Sequence, residues 1–532
     1  MDDALQSASS KQQLCDLLVQ RHLIKDSAYA EVLGQLRDYE YVDLSDYLVD
    51  ITAASLLSPE QSRRLLAIPI QRDGDQLLVA MADPTDYQAV DDIGMYTHLP
   101  VRPLVAAKSA ILAAIDRYHH IDSADEYVVA ATDQADEDSD QVELVVDEGP
   151  IVKLVDTLIE AAVAARASDV HFEPGAAELR VRYRVDGVLH DANRFPGRDL
   201  QKRILARVKV LGGMDVTDRR TPQDGRAVVN VAGRTADLRI SALPTPHGDQ
   251  IAIRILEQTS TLLGLADLGF SPHNLERYRH AYEGHGTILV TGPTGSGKST
   301  TLYATLNLVN DPGVKIITVE DPIEYQLPGI TQVQVNPKAG LTFASALRSI
   351  LRSDPDIILV GEIRDTETAQ IAVQAATSGH SVLSTLHTTD AASTPGRLID
   401  MGLEPFLISA VLECVVAQRL ARRLCEKCKR PYYPSREQLG PYWPYERLGH
   451  PDEIYEAVGC AHCKGTGYNG RYAIHEVMIV NEEIRHLIVE RASAHVIKEA
   501  AIKAEMWTLQ ETAMEGVAAG HTTLVEVKRV AS

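Results

Sequence analysis

Long hydrophobic runs are absent from this sequence of 532 residues. A transmembrane helix needs about 20 consecutive apolar residues, and the longest apolar stretch, 406–417, is interrupted by Ser409 and Glu413. The opening residues, MDDALQS, are acidic and polar, so we expect no signal peptide. These absences predict a soluble protein that associates with a membrane only through partners.

Positive charge is in deficit, because 52 Lys and Arg stand against 74 Asp and Glu and leave a formal net charge of −22. This balance disfavours nonspecific binding of nucleic acid or anionic lipid by the protein as a whole. A chain of this length exceeds what one hydrophobic core supports, so we expect several domains.

Cysteine is scarce as well, but four of the six cysteines form two C-x-x-C pairs: Cys425 with Cys428, and Cys460 with Cys463. Without an export signal, such pairs indicate a metal more than disulfides. Four thiolates suit tetrahedral Zn²⁺ in a closed, structural site. The alternative is four unliganded thiols.

A complete G-x-x-x-x-G-K-[ST] pattern is present directly after the apolar residues 288–290. Glycines let the backbone wrap around phosphates, Lys298 adds a positive charge, and the Ser299 hydroxyl can ligate Mg²⁺. The helix that follows directs its positive end at the same anion. The predicted ATP-binding residues are Gly292, Pro293, Thr294, Gly295, Ser296, Gly297, Lys298, Ser299 and Thr300.

Four short apolar segments around this loop alternate with helical stretches, which predicts a parallel sheet covered on both faces. The segments are GTILV (286–290), VKIITVE (314–320), DIILVGE (356–362) and HSVLSTL (380–386). Open α/β sheets bind ligands at the carboxyl ends of their strands, which is where the loop begins.

Acidic residues and two histidines also fall at strand ends. Glu362 ends the third segment, where Mg²⁺ or its water is held in nucleotide-hydrolysing sheets. Glu320, Asp321 and Glu324 cluster at the end of the second, where carboxylates can orient or deprotonate an attacking water or hold the metal through water; the alternative is a solvated loop. His380 and His387 bracket the fourth, and a γ-phosphate-sensing role competes with an ordinary structural one.

Arginines recur on alternating strand-like segments earlier in the chain, as Arg182, Arg184, Arg239 and Arg254. Such side chains either face solvent or contact phosphate or another subunit, since Arg is the preferred bidentate partner of phosphate. The residues alone leave both options open.

These motifs together resemble the secretion ATPases of the type II secretion and type IV pilus systems, the GspE/PilB group, over about residues 150–530. The matching stretches are ASDVHFEP, VRYRVDGVL, PQDGR, DLRISALPT, GPTGSGKSTT, EDPIEY, LRSDPDIILVGEIRD, SGHSVLSTLHT, AQRLARRLC and GCAHCKGTGYNGRYAIHEV. In that family EDPIEY is the Asp box, IILVGE the Walker B strand and STLHT, which contains His387, the His box.

The resemblance implies a multidomain α/β fold: a P-loop (RecA-like) ATPase with a preceding α+β domain, an N-terminal mixed domain and a tetracysteine zinc element. The expected segments are an N-terminal docking domain (1–119), an acidic flexible linker (120–148), an arginine-bearing α+β domain (149–260), the P-loop ATPase core (261–420), the tetracysteine element (421–480) and a C-terminal helical segment (481–532).

The family also implies a function. Arg239 and Arg254 would reach the nucleotide phosphates at a subunit interface of a homo-hexamer, and hydrolysis would rotate domains to drive pilus or pseudopilus assembly. The implied partners are a membrane-embedded platform protein and, as a further candidate, a cytoplasmic adaptor, with no nucleic acid. The implied location is cytoplasmic, at the inner face of the cytoplasmic membrane.

Some relatives bind cyclic di-GMP in the N-terminal domain, but Gln13, Cys15 and His22 stand where that motif has Arg and Gly. We therefore expect docking onto a membrane-embedded partner there. Two other functions remain as alternatives to a motor: a nucleotide-binding scaffold with little hydrolysis, and a nucleic-acid translocase.

Overall fold

A computed structural model describes residues 25–44, 47, 49–54, 56–118, 150–231, 234–257, 264–460, 462–463 and 465–531. The chain divides into two compact units: the first comprises Met1–Gln258 and Gly459–Thr466, and the second comprises Thr259–Val458 and Gly467–Ser532. The acidic segment predicted as a linker and the N-terminal residues Gln13, Cys15 and His22 lie outside the described residues.

The first unit contains two sheets. Its helices are α1 (Asp26–Arg37), α2 (Ile51–Ala54), α3 (Pro59–Leu65), α4 (Tyr87–Thr97), α5 (Lys108–Tyr118), α6 (Pro150–Ala164) and α7 (Arg198–Leu211). Its strands are β1 (Ala67–Asp73), β2 (Gln76–Met81), β3 (Val101–Val105), β4 (Ala167–Pro174), β5 (Glu178–Val185), β6 (Val188–Pro196), β7 (Gln223–Val231), β8 (Arg234–Thr245) and β9 (Gly248–Glu257).

Strands β1–β3 form a small sheet, and β4–β9 form a six-stranded sheet in the order β6-β5-β4-β9-β8-β7. The pairs of the larger sheet are antiparallel. Such a sheet can bury one face and leave the other exposed. The buried face packs on α6 and α7 through residues such as Val170, Phe172 and Tyr183, which are fully buried. The other face therefore carries polar residues, including the arginines.

The second unit is built on a seven-stranded sheet with helices around it. Its helices are α8 (Pro272–Tyr282), α9 (Lys298–Val309), α10 (Phe343–Ile350), α11 (Thr366–Thr377), α12 (Thr394–Asp400), α13 (Pro405–Val411), α14 (Arg436–Leu439), α15 (Tyr445–Leu448), α16 (Glu482–Val489), α17 (Ala494–Lys503), α18 (Leu509–Ala518) and α19 (Leu524–Val530). Its strands are β10 (Thr287–Thr291), β11 (Ile316–Glu320), β12 (Thr331–Gln334), β13 (Ile357–Val360), β14 (Ser381–Leu386), β15 (Leu412–Leu424), β16 (Arg430–Tyr432), β17 (Ile454–Glu456) and β18 (Tyr468–Ile479).

The strand order in this sheet is β12-β11-β13-β14-β10-β15-β18. All neighbours are parallel except β15 and β18. The four predicted strands, β10, β11, β13 and β14, are confirmed as a parallel sheet, to which β12 and β15 add in parallel and β18 adds as an antiparallel edge strand. The predicted core boundary at residue 420 falls inside β15, and β18 comes from the segment predicted as the tetracysteine element. The C-terminal helices pack into the same hydrophobic core, through Ile484, Ile497 and Val517.

Among the described residues, no helix combines the length and the apolar character needed to cross a bilayer.

Candidate nucleotide-binding and hydrolysis site

The predicted phosphate loop connects β10 to α9. Every residue of β10 is buried, and α9 begins at Lys298 after Gly297, whose φ is 86°. Gly292 has a φ of 149°, and a Cβ there would lie 2.4 Å from the backbone oxygen of Gln418. Only glycine fits both positions without strain. The loop thus places backbone N–H groups and a helix N-terminus at one point, as phosphate binding requires.

The Lys298 side chain is hydrogen-bonded within this loop. Its Nζ donates to the backbone oxygens of Gly292, at 2.9 Å, and Pro293, at 3.1 Å. Burial lowers the pKa of Lys298, the Glu362 carboxylate opposes that shift, and the Arg419 guanidinium adds to it. A phosphate would replace weak carbonyl partners with full negative charge, which strengthens the hydrogen bonds of the ammonium group.

Glu362 follows β13 at the same edge of the sheet. Its side chain is 15% exposed and pairs with Arg364 (Nη2–Oε1, 2.5 Å), while His387 Nε2 lies 3.7 Å from its other oxygen. His387 follows β14, the next strand, and is half exposed. The structure therefore brings Glu362 and His387 together near Lys298. Ser299 is exposed on the first turn of α9, a position from which its hydroxyl can serve a metal.

Glu320, the last residue of β11, has different surroundings. It is 4% exposed and accepts hydrogen bonds from the hydroxyls of Tyr303 and Thr318 and from Gln332 Nε2. Burial, followed by the hydrogen bond to Glu320, raises the pKa of Tyr303, so the phenol remains a donor. Three donors hold the carboxylate in one orientation.

The two histidines that flank β14 lie at opposite ends of the strand. His387 lies at the carboxyl end beside Glu362, whereas His380 precedes the strand at its opposite end. His380 Nδ1 is 2.9 Å from the backbone oxygen of Ala375 and 3.0 Å from Ser378 Oγ. It therefore closes the C-terminus of α11, and this position does not favour the γ-phosphate-sensing role considered for His380.

The arginines of the first unit form a row across the six-stranded sheet. Register pairs Arg226 with Arg239, Arg239 with Arg254, and Arg254 with Asp169. Arg254 Nε is 3.1 Å from Asp169 Oδ1, and Arg184 Nε is 3.8 Å from the other oxygen. Directly paired residues point to the same face of a sheet, so three arginines share this surface. Arg226 was not among the predicted arginines, although it ends the PQDGR motif.

Arg182 pairs with Glu173 and is partly buried. Arg182 lies two residues from Arg184 on the same alternating strand, β5, but Glu173 compensates its charge.

The four cysteines of the two C-x-x-C pairs converge: their sulfurs all lie within 4.8 Å of one another. A tetrahedral ion with Zn–S bonds of about 2.3 Å sets its sulfurs about 3.8 Å apart, and the Cys460 and Cys463 sulfurs are 3.8 Å apart. The Cys460 N–H donates to Cys463 Sγ at 3.2 Å, and none of the four forms a disulfide. The donor set fits zinc.

Gln418 and Arg419 are contacts of the phosphate loop that sequence reasoning did not single out. The Gln418 side chain is buried against Ser296, and Arg419 donates to the backbone oxygens of Gln418 and Thr389. Both lie on β15, beside the strand that leads into the loop. Their only signal in the sequence was the AQRLARRLC stretch of the family resemblance.

A glycine-lined phosphate loop, a lysine within it and an acidic residue ending a nearby parallel strand define a P-loop ATPase with a RecA-like core. Within that class, the chain belongs to the type II/IV secretion system protein family, whose model matches residues 145–529. Residues 37–125 match the MshEN domain model.

Two curated relatives show the extent of the similarity. The chain is 40% identical to the type IV pilus assembly ATPase PilB of Myxococcus xanthus, over 96% of this chain and 92% of that protein. It is 46% identical to the type II secretion system ATPase E of Vibrio cholerae, over 72% of this chain and 76% of that protein.

Among solved structures, the ATPase DotB of Legionella pneumophila superposes with a TM-score of 0.52, covering 74% of this chain and 97% of that one. Its sequence is 21% identical, so this likeness concerns the fold alone.

Proposed function

We propose that this chain is a motor ATPase that couples ATP hydrolysis to domain rotation and so powers assembly of a type IV pilus or a type II secretion pseudopilus. The observation that carries the proposal is the convergence of Lys298, Glu362 and His387 at one sheet edge, in a chain whose relatives are named as pilus assembly and type II secretion ATPases.

In the proposed mechanism, the amides of the loop 292–300 and Lys298 bind and orient the phosphates. Ser299 and Glu362 would hold Mg²⁺, which when bound neutralises charge on the phosphates. Glu320 or Glu362 would orient or deprotonate the attacking water, and His387 would sense the γ-phosphate. Arg239 and Arg254, from a neighbouring subunit, stabilise the charge that develops on the γ-phosphate.

The proposed assembly is a homo-hexamer at the inner face of the cytoplasmic membrane. Its partners would be a membrane-embedded platform protein and a cytoplasmic adaptor, with association to the membrane only through them. The described residues 25–118 would form part of the docking domain. The net charge of −22 argues against a nucleic-acid partner.

We also propose that Cys425, Cys428, Cys460 and Cys463 hold a structural Zn²⁺. Support comes from the convergence of the four sulfurs and from their type, because an all-thiolate set leaves no open position for catalysis.

The decisive experiment measures steady-state phosphate release with Mg²⁺ by the full chain and by Lys298→Ala. We expect the variant to lose about 100-fold or more of the activity, as when a preorganised group that stabilises charge is removed. A nucleotide-binding scaffold would show no difference between the two proteins. Adding DNA tests the translocase alternative, which requires stimulation with a steep salt dependence.

A further inference from the structure

Gln418 is a buried amide side chain in the wall of the phosphate loop. It lies on β15, one residue beyond Ala417, which pairs with Thr291 at the end of β10. The residue is 2% exposed. Burying a side-chain amide is unfavourable unless its polar atoms are hydrogen-bonded, so its two partners show what the residue does.

Both partners belong to the nucleotide site. Gln418 Nε2 donates to the backbone oxygen of Ser296 at 2.8 Å, and Thr301 Oγ1 donates to Gln418 Oε1 at 2.7 Å. One side chain thus ties the last turn of the phosphate loop to the first turn of α9. Gly297 lies between them, and a Cβ there would approach the same Nε2 to 2.9 Å.

The bond to Ser296 has a consequence for phosphate binding. In a trans peptide, the carbonyl and the N–H of the next residue lie in one plane and point in opposite directions. Because Gln418 draws the Ser296 oxygen toward β15, the Gly297 N–H must point away from β15. That N–H belongs to the loop whose amides bind phosphate in P-loop proteins.

We infer that Gln418 is a positioning residue that sets the affinity of the site for ATP by holding the Ser296–Gly297 peptide in its binding orientation. This inference rests on the proposed function, because it assumes that the loop binds a nucleoside triphosphate. It assigns Gln418 no contact with the nucleotide.

The test measures binding of a fluorescent ATP analogue with Mg²⁺ to the full chain. Gln418→Leu removes both hydrogen bonds at nearly constant volume, and we expect the dissociation constant to rise about tenfold, as for loss of one or two net hydrogen bonds. Gln418→Glu keeps an acceptor for Thr301 but cannot donate to Ser296. It should weaken binding at least as much, and it remains a usable test if the Leu variant does not fold.

Asn274→Leu is the matched control. Asn274 is fully buried, its Nδ2 donates to the backbone oxygen of His475 at 2.8 Å, and it lies 3.3 Å from the Thr512 hydroxyl. Its loss should lower stability comparably and leave ATP affinity unchanged. Wild-type affinity in both Gln418 variants, or an equal shift in Asn274→Leu, would overturn the inference. Failure of the motor proposal would give a different result: wild-type protein would bind the analogue but would release no phosphate from ATP.

Discussion

Glu320 and Glu362 end neighbouring parallel strands, but their surroundings assign them different chemistry. Glu362 has an exposed arginine and a half-exposed histidine beside it, so it can exchange these partners for a metal or water. Glu320 already accepts bonds from Tyr303, Thr318 and Gln332. These three bonds hold the Glu320 carboxylate in one orientation.

We predict that Glu320→Gln destabilises the protein by about 1–3 kcal/mol, because the new amide group faces donors and leaves a buried group unsatisfied. Glu362→Gln loses its pairs with two solvent-accessible partners, Arg364 and His387, and should leave the melting temperature nearly unchanged, while phosphate release falls. Thermal unfolding of both variants checks this. Equal melting temperatures for Glu320→Gln and wild type would show that the three bonds contribute little.

His475 on β18 is a second residue with an unusual environment. It is fully buried and stacks on Phe270 with ring centroids 3.5 Å apart, and neither ring nitrogen has a hydrogen-bond partner within the described residues. Burial lowers the pKa of His475 to about 3. The imidazole is therefore neutral in the folded protein.

This pKa predicts a loss of stability in mild acid. The pKa is lowered from about 6.5 in the unfolded chain, so the contribution is complete above pH 6.5 and declines as the pH falls toward 3. At pH 5 the loss is about 2 kcal/mol, from a shift of about 1.4 kcal/mol per pH unit. Urea unfolding at pH 7 and pH 5 should show a smaller difference for His475→Leu than for wild type. The same pH dependence in both would contradict the assignment.

At the scale of elements, antiparallel pairing decides which arginines meet. Arg226, Arg239 and Arg254 occupy adjacent positions on three strands, and like charges directly opposite each other destabilise a sheet. Such a row is costly to the fold, which favours a role in binding an anion.

We predict that Arg254→Gln lowers the turnover of ATP at least tenfold, since an arginine that stabilises transferring phosphate contributes strongly. Stability should be nearly unchanged, because the loss of the ion pair with Asp169 is offset by reduced like-charge repulsion in the row. Arg194→Gln is the control: Arg194 is also 54% exposed and pairs with Glu178 and Asp191. Activity is measured as phosphate release by the assembled protein. A similar loss of activity in both variants would contradict a special role for Arg254.

At the scale of the whole molecule, the cysteine cluster joins two parts of the chain far apart in sequence. The segment between Cys428 and Cys460 contains β16 and β17, which pair only with each other among the described strands. A metal bound by all four thiolates would hold the two ends of this segment together.

Metal analysis of the purified chain should find about one zinc per chain, from the tetrahedral Cys₄ rule, and Cys460→Ser should lose it. Cys414→Ala, at a buried cysteine on β15 outside the cluster, should retain it. Chelation should lower the melting temperature of wild type and of Cys414→Ala, but not that of Cys460→Ser. Full metal content in Cys460→Ser would exclude our ligand assignment.

Several features were predictable because they are determined by residues close together in the sequence. The phosphate loop, the apolar strands ending in Glu320 and Glu362, and the C-x-x-C pairs each depend on spacing within a few positions. Strand β18 was not predicted, because its outer half is exposed and alternates while its inner half is buried. The burial pattern of β18 changes where its partner strand β15 extends beyond the rest of the sheet.

The amino-acid sequence by itself determined the chemistry of this protein: a loop for phosphates, carboxylates at strand ends and thiolates for a metal, since local backbone geometry suffices for each. Only the tertiary structure decided which groups meet. Gln418 reaches Ser296 across 122 positions of the chain, and His380 and His387 separate to opposite ends of one strand. Such contacts follow from strand order and packing, which no local pattern encodes.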